Sequence, residues 1–80
     1  MQRDELIAAL DAAGAAHHEF ESVALEGERD ELWAGFYAAY VLGRLGDFIA
    51  PSALSEVLES TDGEPWSQAA ADNLLARLRG

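Results

Sequence analysis

Apolar residues in this chain recur every three or four positions, and over no useful length do they alternate every second one. The first spacing lines one face of a helix and the second one face of a strand, so the pattern calls for helices and offers no strand for a sheet. Leu6, Leu10, Ala13, His17, Phe20 and Ala24 hold the helical spacing through a first segment from about Asp4 to Ala24. Gly14 falls inside it at a cost near ~1 kcal/mol relative to alanine, and the flanking alanines carry the helix through.

Turn residues divide the remainder. After the turn Leu25-Glu26-Gly27-Glu28-Arg29, Asp30 is the expected N-cap of a second helix, with Glu31 in its first turn. That helix reaches Leu45, where Gly46 fits a left-handed stop. One side carries the aromatic stripe Trp33, Phe36, Tyr37 and Tyr40, continuing to Arg44; the other carries Gly35, Ala38, Ala39 and Leu42. A helix apolar all round is one buried all round, so it is expected at the centre of the fold or with its second face against a partner. Pro51 suits the first turn of a short third helix, whose inner face is Leu54, Val57 and Leu58 and which ends near Glu59. Ser60-Thr61-Asp62-Gly63 is a turn. A fourth helix runs from about Pro65 to Arg79, presenting Trp66, Ala70, Leu74 and Leu78, with Arg77 and Arg79 placed to favour its dipole. The expected fold class is all-α: one compact four-helix, bundle-like domain over residues 1–80 with a short third helix.

Composition narrows what such a domain does. Eighty residues make one core, and a domain of this size hides only roughly 60–65% of the surface its unfolded chain exposes, for which dimerisation is a common remedy. The chain has no cysteine and no lysine, which removes thiolate, disulfide and amine chemistry. Its formal charge of −10 repels phosphate backbones, so direct binding to nucleic acid is not expected. The start Met1-Gln2-Arg3-Asp4-Glu5 lacks the basic and apolar regions of a secretory signal, and the longest uncharged run, Leu32 to Gly43, is too short to cross a bilayer. A cytoplasmic location is therefore expected, with no membrane association. Alanine and arginine usage without lysine suggests a GC-rich bacterial genome.

Few residues offer chemistry. His17 and Glu21 stand one helical turn apart, and an antiparallel pairing of the first two helices puts His17 near Tyr40 and Glu21 near Tyr37 and Trp33, with Arg44 further along. Those six residues form either a ligand pocket or a polar core in which His17 and Glu21 satisfy tyrosine hydroxyls. His17-His18-Glu19 is similar to the signature of hemerythrin-like proteins, but adjacent helical residues point about 100° apart and the chain has two histidines in all. No metal, cofactor or catalytic residue is assigned. Gly35, Ala39 and Gly43 form a ladder of small residues that allows close helix approach, expected either as packing within the chain or as a dimer seam. Six acids and one arginine between Glu19 and Glu31 gather at the corner of the first two helices, a solvated surface or a docking site for a basic partner.

The segment Ala16-His17-His18-Glu19-Phe20-Glu21, followed by Gly27 to Tyr40 with its D-x-x-W-x-x-[aromatic]-Y-A-x-Y pattern, resembles a group of small bacterial helical proteins of actinobacterial and cyanobacterial type. The resemblance covers about residues 13–45. It implies a compact helical domain without an assigned activity, and its characteristic positions are His17, Glu21, Asp30, Trp33, Tyr37 and Tyr40. This chain carries Ala34 and Phe36 where members often have proline and tryptophan.

The favoured functional expectation is a small acidic accessory or interaction module, not an enzyme, whose partner is another protein or a second copy in a homodimer. The alternatives are a small-molecule binder or modest enzyme using the His17–Glu21–Tyr37–Tyr40 seam, and an acidic decoy for a nucleic-acid-binding protein.

Overall fold

The computed structural model describes residues 1–80. Four helices account for most of the chain: α1 (Arg3–Val23), α2 (Trp33–Leu45), α3 (Pro51–Ser60) and α4 (Trp66–Arg79). Each boundary has a local cause. The Glu5 carboxylate accepts the Gln2 N–H at 3.2 Å to open α1, and Pro51 opens α3 from its first turn. Gly46 ends α2 at φ +94°, a backbone conformation that L side chains rarely adopt, and its N–H donates to the Leu42 carbonyl at 2.8 Å.

One boundary differs from expectation. Leu32, not Asp30, precedes the regular turns of α2. Asp30 instead accepts the Leu32 N–H two residues on, at 2.9 Å, closing a turn outside the helix.

Each helix packs against two others, in the ring α1–α2–α3–α4–α1. Contacts at the two ends fix the directions. Trp33 and Trp66, at the starts of α2 and α4, meet at one end beside the C-terminal half of α1, and Arg3 of α1 reaches Asp72 of α4 toward the other. The result is an up-down-up-down bundle. Its centre is filled from all four helices by Leu6 and Leu10, Val41, Leu54 and Leu58, and Leu74, each 1% exposed or less. Ala9 and Ala13 of α1, and Ala70 and Ala71 of α4, are also fully buried, so these two neighbouring helices approach over small side chains.

Helix α2 is not enclosed. Ala34, Ala38, Val41 and Leu42 face inward, while Gly35, Ala39 and Gly43 are exposed. A Cβ placed on Gly35 or Gly43 would meet nothing within 4 Å. The ladder of small residues therefore lies on the solvent side and does no packing within this chain. The reason is rotational: core positions at 34, 38, 41 and 42 turn positions 35, 39 and 43 away from both neighbouring helices.

Candidate functional site

Residues 24–32 fold back along α1 instead of turning directly into α2. Glu26 takes φ +54° and Gly27 φ +86°, and the Gly27 N–H donates to the Glu21 carbonyl at 2.8 Å. The next residues leave helical geometry until Trp33. Asp30, held against Glu21 and His17, brings the chain back alongside α1 before α2 begins, so that Phe36 and Tyr37, not Tyr40, reach His17.

His17 shows the result. Its ring lies 5.0 Å edge-on from Phe36 and 5.4 Å from Tyr37, with Phe20 at 6.3 Å. Tyr40 is one turn further along α2 and packs at the edge of the core. Arg44 is exposed and takes part in none of the three ion pairs. The expected grouping of His17 with Tyr40 and Arg44 is thus corrected to His17 with Phe36 and Tyr37. The irregular connection, which is not a plain turn, sets this register.

His17 is buried, 6% exposed, and both ring nitrogens face carboxylates. Nε2 lies 3.0 Å from Asp30 Oδ2, and Nδ1 lies 3.6 Å from Glu21 Oε1. The first is a hydrogen bond; the second is too long for one. The carboxylates are held in turn, since the Asp30 N–H donates to Glu21 Oε2 at 2.8 Å. The His17 hydrogen bond first, and the Leu32 N–H second, hold the Asp30 carboxyl below its ordinary pKa of 3.8. An ionised carboxylate only accepts, so Nε2 carries a proton and donates.

Around this unit opens a cleft of about 230 Å³ lined by His17, Glu21, Arg29, Asp30, Trp33 and Tyr37. Four of the six residues expected in the pocket line it; Tyr40 and Arg44 do not, and Arg29 and Asp30 join. Trp33 and Tyr37 meet edge-to-face at 5.4 Å, and Trp66 of α4 braces both at 5.8 and 5.6 Å. Burial, and then the Glu21 carboxylate, push the Tyr37 hydroxyl above its ordinary pKa of 10.0. That hydroxyl stands only 3.2 Å from where a Cβ on Gly14 would be. Gly14 is therefore the notch in α1 that admits Tyr37, a role the sequence did not reveal.

Asp30 and Glu21 contact opposite edges of one imidazole and do not converge on a common point, and no group of three histidine or acidic side chains is placed to hold a metal ion. Of the six acids at this corner, these two turn inward, while Glu19, Glu26, Glu28 and Glu31 are exposed. No helix is long and apolar enough to cross a membrane. Comparison with protein-family models, curated proteins and solved structures yields no match to this chain.

Proposed function

We propose that this chain is a small, non-catalytic interaction module that pairs with a second copy of itself through the outer side of α2. The observation that carries the reading is the bare, uncharged face formed by Leu32, 80% exposed, with Gly35, Ala39 and Gly43. Outward helix faces in a soluble fold are ordinarily polar. Here no charged residue occurs between Glu31 and Arg44.

A like chain suits this face for two reasons. Small residues let two helix axes come close, so that backbone and Leu32 side chains make the contact. On a chain of formal charge −10 the same face is also where two copies approach with the fewest acids opposed. From Leu32 to Gly43 the face is about 16 Å long at helical rise, which makes a weak, exchangeable dimer and not an obligate one. The resemblance of residues 13–45 to small bacterial helical proteins belongs to the same proposal and adds no activity to it.

A single cysteine locates the contact cleanly, because the chain has none of its own. Under mild oxidation Ala39→Cys is expected to form disulfide-linked dimers much faster than Ala15→Cys, an exposed alanine on α1. Equal rates for the two would place the contact elsewhere and defeat the reading.

A further inference from the structure

Independently of the α2 face, we infer that the cleft between α1 and α2 is a binding site for a small organic cation, an ammonium group on an apolar stem. Glu21 Oε2 accepts the Asp30 N–H, which leaves Oε1 without a hydrogen-bond donor, 3.6 Å from His17 Nδ1. An ammonium N–H presented to that oxygen supplies a charge-assisted one.

The surroundings select the donor. Trp33 and Tyr37 give the cleft aromatic walls, which suit a cation and its apolar stem. Glu21 and Asp30 outnumber Arg29 among its charged groups, and the whole chain is strongly acidic. A volume of about 230 Å³ equals roughly seven or eight waters, room for a small amine.

Benzylammonium is the probe, with benzyl alcohol as its uncharged counterpart, followed by NMR of the Trp33 indole at constant ionic strength. Saturable shifts are expected with benzylammonium alone, with affinity at least about tenfold weaker in Glu21→Gln. Glu21→Gln keeps an oxygen for the Asp30 N–H, and the comparison with benzyl alcohol on the unaltered chain needs no variant. Absence of saturable shifts, equal shifts from benzyl alcohol, or an affinity indifferent to Glu21→Gln would overturn the assignment.

Discussion

His17 donates through Nε2 to Asp30 Oδ2 at 3.0 Å, joining the last third of α1 to the residue that turns the chain into α2. Through this bond, and the Asp30 N–H to Glu21, a connection of irregular backbone is fixed to the helix it lies on. Because a buried imidazole, not an aliphatic side chain, sits at this point, the packing of α1 on α2 depends on polar as well as apolar contacts.

His17→Ala is accordingly expected to cost about 2–4 kcal/mol, combining lost packing against Phe36 and Tyr37 with a carboxylate left unpaired. Urea denaturation gives the number. His18→Ala, at an exposed position one residue away, is expected to change stability by less than about 0.5 kcal/mol.

Gly14 and Tyr37 are expected to be coupled. Alanine in place of an interior helical glycine ordinarily gains about 1 kcal/mol. Here the new Cβ would lie 3.2 Å from the Tyr37 hydroxyl, and Tyr37 is held by Trp33 and Trp66. Gly14→Ala should therefore give little or negative benefit alone and regain about 1 kcal/mol when combined with Tyr37→Phe. Strict additivity in the double-mutant cycle would contradict the contact.

Acid should weaken the fold in a defined range. Asp30 and Asp72 have folded pKa values lowered from 3.8, Asp30 chiefly by its bond to His17 and Asp72 chiefly by its bond to Arg3. A depressed carboxyl contributes stability above its unfolded pKa and loses it as pH falls toward the folded one. The denaturation midpoint should hold above about pH 5 with respect to these two groups and fall below about pH 4. Asp72→Asn should make that acid limb shallower.

The elements differ in how much of them is legible in the sequence. The ends of α2, α3 and α4 were legible because Gly46, Pro51 and Pro65 act locally, through backbone conformation and missing donors. The inward positions of α1 from Leu6 to His17 were legible because burial follows the helical repeat. Phe20 and Ala24 continue that repeat yet are exposed, since α1 extends past the packed part of the bundle. The partners of His17 were not legible: they depend on how residues 24–32 descend along α1, which tertiary hydrogen bonds decide. The ladder at Gly35, Ala39 and Gly43 was visible as a pattern, but its outward direction was set only when Ala38 and Leu42 took the core.

Sedimentation equilibrium of the unaltered chain, across a wide concentration range at low and high salt, reads self-association through α2. The expected result is a reversible monomer–dimer equilibrium that strengthens as salt screens the repulsion between two chains of charge −10. In Ala39→Glu the dimer is expected to disappear. A monomer at every concentration and salt level, or a dimer indifferent to Ala39→Glu, would contradict it.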